Sequence, residues 1–341
     1  MAAESFLAEV REQPDALLRL VERRAEVEAV VDELRRRGVE TIRLVAHGSS
    51  DAAASYGVYA FGVLPGWTAF RDSISLTTYY RAELDFARSA VIAVSQSGRT
   101  PDVVSYATRA RERGALTVGV TNEPDSALAR VAELTLMLHA GEERAVAASK
   151  TLLNTFAVLA LLAGYAAGRG QEVAAGMERA AEQIRGALPA LEAAVAPIAA
   201  TFAYVGRMYV IGRGIELGTS REIALKLTET CRIAAESVTS TDLSHGPIAA
   251  LDAMFPVWTI ASRDECLPAL VAAAELARKA GATLVASGSA ADEVPHAAFR
   301  ACRSPRRRCR CSRRFSPSCR GSCSRRRWRG PRASTPTSRS G

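Results

Sequence analysis

Ala90-Val91-Ile92-Ala93-Val94, followed by Ser95-Gln96-Ser97-Gly98-Arg99-Thr100, reads as a buried β-strand that opens through small hydroxyl residues and one glycine into a helix starting near Pro101. An unbroken apolar run of this length is what a strand covered on both faces looks like, and such strands belong to parallel sheets. The turn after it brings backbone N–H groups, hydroxyls and the positive end of a helix dipole to one point, without a Walker-type lysine. That point suits a phosphomonoester. The same hexapeptide also fits an ordinary strand-to-helix turn, which takes small residues for conformational reasons alone.

The strand is one of a series. Short β-rich runs at 41–46, 90–94, 116–120 and 134–138 alternate with amphipathic segments, the pattern of a parallel sheet with helices on both faces. A helical leader is expected over 1–37, with Leu18, Val21, Val27, Val30, Val31 and Leu34 on its buried faces and a break at Pro14. A long Ala-rich helical stretch runs from about 152 to 195 and includes a connector, placed at 169–200. The pattern then restarts. Tyr209-Val210-Ile211-Gly212-Arg213-Gly214 parallels Leu44-Val45-Ala46-His47-Gly48-Ser49, and further β-like runs follow at 255–261 and 283–286. The expected fold class is α/β, a tandem repeat of one domain over 38–168 and 201–300, each a parallel sheet flanked by helices. A single large doubly wound sheet is the alternative.

Composition excludes several functions once the C-terminus is set apart. Residues 301–341 hold 14 Arg, no acid and five of the seven cysteines, which leaves 30 basic against 36 acidic residues before them. A mildly acidic body argues against nucleic acid as a partner. Cys231 and Cys266 have no C-x-x-C spacing and fit a reducing compartment, so a cytoplasmic protein is expected. The N-terminus carries Glu4 and Glu9 and no apolar signal segment, and the longest apolar stretch, about 156–167, is too short to span a bilayer. No membrane partner is expected.

Four segments together, His47-Gly48-Ser49-Ser50, Ser95 through Thr100, Val146-Ala147-Ala148-Ser149-Lys150 and His245-Gly246-Pro247, resemble the sugar isomerase (SIS) domain proteins. Within that family the resemblance is to the isomerase half of glucosamine-6-phosphate synthase and to stand-alone amino-sugar-phosphate deaminases and isomerases, over about residues 5–300. It implies two SIS domains, a phosphosugar at the strand C-termini and a homodimer with its sites at the interface. No cofactor or metal is expected. Ser49, Ser50, Ser95, Gln96, Ser97 and Thr100 match positions that hold the sugar phosphate and nearby hydroxyls, while Val146 and Ala148 match a segment lying along the sugar. Two departures stand out. The family's V-A-S-T-K is Val146-Ala147-Ala148-Ser149-Lys150 here, so Ala148 offers backbone groups only, and Arg99 replaces a common Glu.

Glu222-Ile223-Ala224-Leu225-Lys226-Leu227-Thr228-Glu229 matches the family's E-x-A-L-K-L-x-E, with Glu229 at the position of the catalytic glutamate. Aldose–ketose chemistry moves a proton between carbons 1 and 2, and one carboxylate over one face can collect and return it. By spacing alone, Glu222, Lys226 and Glu229 also fit a solvated ion-pair ladder. His245 matches the histidine that opens the sugar ring, a task suited to a group titrating near neutrality. His47 reads as a structural turn residue.

The first expected strand begins at residue 41 and no N-terminal Cys nucleophile is present, which leaves no glutaminase segment. The expected activity is therefore glutamine-independent: conversion of an amino-sugar 6-phosphate to a ketose 6-phosphate with release of ammonia, or a related isomerisation. Arg11-Glu12-Gln13-Pro14 followed by Leu17 and Leu18 also looks like the E-Q-P entry of that branch. A non-catalytic phosphosugar sensor is the alternative, against which the presence of both Glu229 and His245 counts. The tail at 301–341 reads as an out-of-frame continuation. Shifting the frame lets Arg332 to Gly341 be re-read as G-L-D-P-D-V-P-V-G, which resembles the G-x-D-x-D-x-P segment near the end of such enzymes. On that reading the second domain lacks its last strand and helix and the family's ring-opening lysine, and the tail is disordered or poorly packed. A basic tail for nucleic acid is the rival.

Overall fold

Two successive stretches of alternating strand and helix each form a five-stranded sheet in the structure, a computed structural model that describes residues 2–301, with side chains from residue 5 to residue 300. The chain begins with α1 (Ala2–Glu22) and α2 (Arg24–Arg36). The first stretch then runs β1 (Thr41–Val45), α3 (Gly48–Val63), β2 (Thr68–Arg71), α4 (Ile74–Thr78), β3 (Ser89–Val94), α5 (Pro101–Glu112), β4 (Leu116–Thr121), α6 (Ala127–Val131), β5 (Leu134–Met137) and α7 (Lys150–Ala166). After α8 (Gly170–Thr201) come β6 (Arg207–Ile211), α9 (Leu217–Cys231), β7 (Ala234–Val238), β8 (Val257–Ile260), α10 (Leu267–Lys279), β9 (Leu284–Ser287) and β10 (Phe299–Ala301).

Every ladder is parallel, and the strand orders are β2-β1-β3-β4-β5 and β7-β6-β8-β9-β10, the same order twice. A single continuous sheet is thereby excluded. In each sheet the order turns back at its first strand, β1 or β6, and loops leaving opposite sides of such a switch point enclose a crevice at the strand C-termini. All residues of β3 and β4 are buried, because helices cover both faces. Ile42, Leu44, Ala90, Ile92 and Val94 face α1, α2 and α7 in one core. Val45, Val91 and Ala93 face Val103, Tyr106 and Ala107 of α5 in another, the period-two alternation of a strand.

The leader differs from expectation. Pro14 lies buried inside an unbroken α1, and the break falls at Arg23. A proline costs a helix one hydrogen bond and some crowding, and burial of Ala16, Leu17, Leu20 and Val21 against α7 and α8 outweighs that cost. Val21, Val27, Val30, Val31 and Leu34 are buried as expected, and Leu18 is half-buried. The helical stretch at 152–195 is two helices, parted where Gly168 takes φ +71°. The edge strands β2 and β7, Thr-Ala-Phe-Arg and Ala-Ala-Glu-Ser-Val, carry no apolar run and escaped the sequence reading because they are only partly covered. Nor does the second sheet lack its final strand: Phe299–Ala301 pairs with β9. The expectations for the tail from residue 302 lie outside the described residues. Among the described residues, no helix is long and apolar enough to cross a membrane.

The two sheets belong to one compact unit, in which α9 packs across α3. Gly218 permits the approach: a Cβ there would sit 2.6 Å from the carbonyl oxygen of Ala52 and 2.9 Å from Cβ of Tyr56. Backbone cannot yield as a flexible side chain can. Gly218→Ala is therefore expected to lower unfolding free energy by about 1–3 kcal/mol, the range for overpacking a close contact. Urea unfolding measures it, and an unchanged midpoint would show that α3 and α9 part without cost.

Candidate functional site

The loop from β3 into α5 is built around Gly98, whose φ of +60° suits glycine and whose Cβ would fall 2.1 Å from Oγ of Ser126. Three bonds fix the loop from β4 and α6. The Gln96 carbonyl accepts from Thr121 Oγ1 (3.1 Å) and from the Asn122 amide (2.9 Å), and the Gly98 carbonyl accepts from the Leu128 amide (2.9 Å). Ser95, buried, shares a hydrogen bond with Thr100 across the loop, Oγ to Oγ1 2.9 Å. Thr100 is the N-cap residue of α5 but its side chain caps no amide of that helix, so the first-turn N–H groups of α5 remain for another acceptor. Ser97 is half-buried, its hydroxyl reached among the described residues by the Arg99 amide at 3.4 Å, and Arg99 is exposed. The hydroxyls of Ser95, Ser97 and Thr100 and the uncapped amides at the start of α5 thus sit on one short turn. Asp102 in the first turn of α5 stands at the lip, accepting from the Tyr79 hydroxyl (3.2 Å), with His47 Nε2 at 3.7 Å.

Across the switch point, β1 leads through His47 and Gly48 into α3, whose N-terminus also has no side-chain cap and presents half-buried Ser49 and Ser50. Here α9 contributes. Lys226 Nζ donates to Ser49 Oγ (3.0 Å) and to Glu229 Oε2 (2.8 Å), and lies 3.0 Å from Glu222 Oε1. The Glu222 contact is an ion pair without hydrogen-bond geometry. Arg221 reaches α3 as well, donating to Ser55 Oγ and to Asp51 Oδ2, both at 2.8 Å, while Arg71 holds Asp51 from β2. The residues 222, 226 and 229 do form an ion-pair ladder, but not a solvated one. The side chains of Lys226 and Glu222 are 18% and 8% exposed, whereas that of Glu229 is 41% exposed.

Burial pushes the Glu222 carboxyl above its ordinary value, and the neighbouring Lys226 ammonium only partly offsets this. Burial also works against the Lys226 charge, but Glu229 and Glu222 outweigh it and the ammonium is held more firmly than usual. The result is a fixed cation between the α3 N-terminus and an accessible carboxylate.

The other expected site residues are less tightly joined. His245 ends a short 3-10 turn (Asp242–His245) beyond β7, exposed and with no hydrogen-bond or ionic partner among the described residues. Val146 is 102% exposed and Ala148 half-buried, in the loop between β5 and α7 at the same end of the sheet as the cradle. The structure therefore unites Ser95 with Thr100, and Ser49 with Glu229 through Lys226. It leaves His245 and Val146 open to whatever lies against them.

The model of the SIS domain matches residues 23–164 and 201–304, one segment around each sheet. The chain belongs to the SIS-domain family. Among curated relatives, a glutamine–fructose-6-phosphate aminotransferase (isomerizing) from Aeropyrum pernix is 35% identical over 271 residues, covering 76% of this chain and 43% of that protein. This SIS chain thus spans less than half the length of that relative. A protein from Silicibacter pomeroyi assigned as a phosphosugar isomerase superposes with a TM-score of 0.75 at 33% identity, over 83% of this chain and 85% of its own. The C-terminal domain of glucosamine-fructose-6-phosphate aminotransferase from Francisella tularensis shares the fold, with a TM-score of 0.73 at 23% identity over 86% and 87% of the two chains.

Sequence reasoning did not single out Asn122, which joins the cradle to the loop after β5. It donates its backbone amide to Gln96, accepts from the Ala140 amide (3.1 Å) and donates Nδ2 to the Gly141 carbonyl (2.8 Å). Its position directly after a buried strand was the available signal. Glu222 supplies a test of the ladder's environment. Its folded-state pKa lies above its unfolded value, so its contribution to stability is complete below the ordinary carboxylate pKa and is lost as pH rises through the raised one. Glu222→Gln is expected to flatten that fall, measured as urea midpoints of parent and variant from acid to neutral pH. Parallel profiles would place Glu222 in ordinary solvent.

Proposed function

We propose that this SIS chain is a cytoplasmic phosphosugar aldose–ketose isomerase, and that its reaction converts an amino-sugar 6-phosphate to a ketose 6-phosphate with release of ammonia. The observation that carries the reading is the Lys226 ammonium shared between Ser49 and Glu229, because it ties an accessible carboxylate to the wall facing the phosphate cradle. The names of the relatives, an isomerizing aminotransferase acting on fructose 6-phosphate and an assigned phosphosugar isomerase, support the same class.

In this reading the phosphate binds the hydroxyls of Ser95, Ser97 and Thr100 and the N–H groups of α5, and Ser49 and Ser50 take sugar hydroxyls. The binding energy of this remote dianion holds the open chain so that C1 and C2 lie over Glu229. Glu229 removes the proton from C2, the electron pair forms the C1–C2 double bond, and the aldehyde oxygen at C1 takes up a proton. Return of the carried proton to C1 leaves a ketone, or an imine where C2 bears an amino group. Water adds to the imine carbon and the C2–N bond breaks, giving ketose phosphate and ammonia. Lys226 holds Glu229 in place through its hydrogen bond, and His245 assists ring opening as a proton donor. Residues 38–168 and 201–300 are read as two SIS domains, and a second copy of the chain is proposed to complete the open side of the site, where Val146 and His245 stand exposed.

Incubation with glucosamine, galactosamine and fructose 6-phosphates in deuterated water tests this, by released ammonia and by proton exchange at C1 and C2. Glu229→Gln keeps shape but removes the base, and turnover is expected to fall about 100- to 10,000-fold while phosphosugar binding persists. Near-normal turnover in the variant would take Glu229 out of the mechanism, and binding without any turnover in the parent would favour a sensor. Ser97→Asp puts an anion where the phosphate sits, and a strong rise in KM with the fold intact is expected from like-charge repulsion.

A further inference from the structure

The loop between β5 and α7 carries Val146 and Ala148, yet none of the amides of residues 139–149 donates to a main-chain carbonyl among the described residues. Side chains hold it instead. Glu9 of α1, 5% exposed, accepts from the amides of Arg144 (2.5 Å) and Ala145 (3.2 Å). Glu12, one turn further along α1, accepts from Nζ of the buried Lys150 at 2.6 Å. Arg19 donates to the carbonyls of His139 (3.1 Å) and Ala140 (2.9 Å). At the far end Glu143 takes the Ser149 amide at 2.8 Å and caps the start of α7 through Thr151. A cavity of about 430 Å³ separates α1 from the loop, lined by Glu9, Glu12, Arg144 and Lys150, so contact between the two runs through these polar groups rather than through packing.

Glu9 is placed where backbone orientation matters most. Its two amides immediately precede Val146, whose own side chain touches nothing that could hold it. Ala148 has no hydroxyl, so at that position only main-chain groups can meet a ligand. Carboxylate-to-amide bonds are charge-assisted and directional, and a buried pair of them fixes two successive peptide planes. Asn122 ties the same loop to Gln96, which sets it beside the cradle. Residue 9 lies before the segment matched to the SIS domain, which begins at residue 23.

We propose that Glu9 is a positioning residue, whose carboxylate sets the backbone of residues 144–148 against the sugar of a phosphosugar held in the cradle. This rests on the reading of residues 95–100 and 146–148 as the phosphosugar site. The leader helix then acts as part of the binding site from a distance. It discriminates sugar phosphate from bare phosphate, because only the sugar reaches the loop.

Titration calorimetry of the full chain with inorganic phosphate, fructose 6-phosphate and glucosamine 6-phosphate, together with amide hydrogen exchange over 140–149, tests the proposal. In Glu9→Ala, exchange at Arg144 and Ala145 should accelerate with β3 and β4 unchanged. Sugar-phosphate affinity should fall about 10- to 100-fold, as expected for a misplaced binding group, while inorganic phosphate binds as before. Glu9→Gln, which can still accept from the amides, should recover part of the loss. Equal loss for phosphate and sugar phosphate, or no loss for either, would overturn the role of Glu9. If neither sugar phosphate outbinds phosphate in the parent, the site reading itself has failed and the proposal falls with it. Should Glu9→Ala not fold, the parent and Glu9→Asp decide: rapid exchange at Arg144 and Ala145 in the parent, or unchanged exchange in Glu9→Asp, whose shorter side chain falls short of the amides, would show that Glu9 does not hold them, and slow exchange lost on Glu9→Asp would show that it does.

Discussion

The close packing of α9 on α3, with the Ala52 carbonyl passing over Gly218, is the constraint from which the site geometry follows. A helix held that near must place its polar residues somewhere, and α9 delivers Arg221 and Lys226 to the N-terminal turns of α3. Both find oxygens there. Lys226 donates to Ser49 and Glu229 and forms an ion pair with Glu222, so one ammonium serves all three oxygens. The second half of the chain therefore contributes side chains to the N-terminal end of α3, beside the first sheet.

The strand order is the same in both sheets, but the loop after β8 is built differently from the one after β3. At the end of β8, Ser262 donates to Glu216, Arg263 pairs with Asp292 and Glu293, and Asp264 takes the amide of Cys266. Gly214, the counterpart of Gly48, has its would-be Cβ 2.7 Å from Cys266 Sγ. The second crevice is closed by its own side chains, with Glu216 and Asp264 beside Arg213.

How much was legible in the sequence depended on burial. β1, β3, β4, β6, β8 and β9 announced themselves as apolar runs because both faces are covered, while β2 and β7 at the sheet edges did not. The 95–100 loop was readable because its glycine and hydroxyls are dictated by local backbone geometry. Lys226 and Glu222 were visible as a spacing but ambiguous, since i, i+4 charges on a helix look alike whether solvated or buried; only the packing of α3 decides between them. The grip of Glu9 on the loop could not be read at all, because it joins residues far apart in sequence through main-chain atoms that leave no side-chain signature.

That last contact also has a bearing on the order in which the molecule becomes whole. Glu9 and the Arg144 amide are separated by 135 residues, so during synthesis α1 leaves the ribosome long before the segment it grips exists. Contacts of high sequence separation form late, since the intervening chain must first be ordered. The sheet β1 to β5 can assemble from neighbouring elements, and its loops can meet a helix only once α7 and α8 provide the surface on which α1 docks. Ordering of the 139–149 loop is thus coupled to closure of α1 onto α7 and α8, and a nascent fragment ending within the first sheet would have strands but none of this loop's anchors.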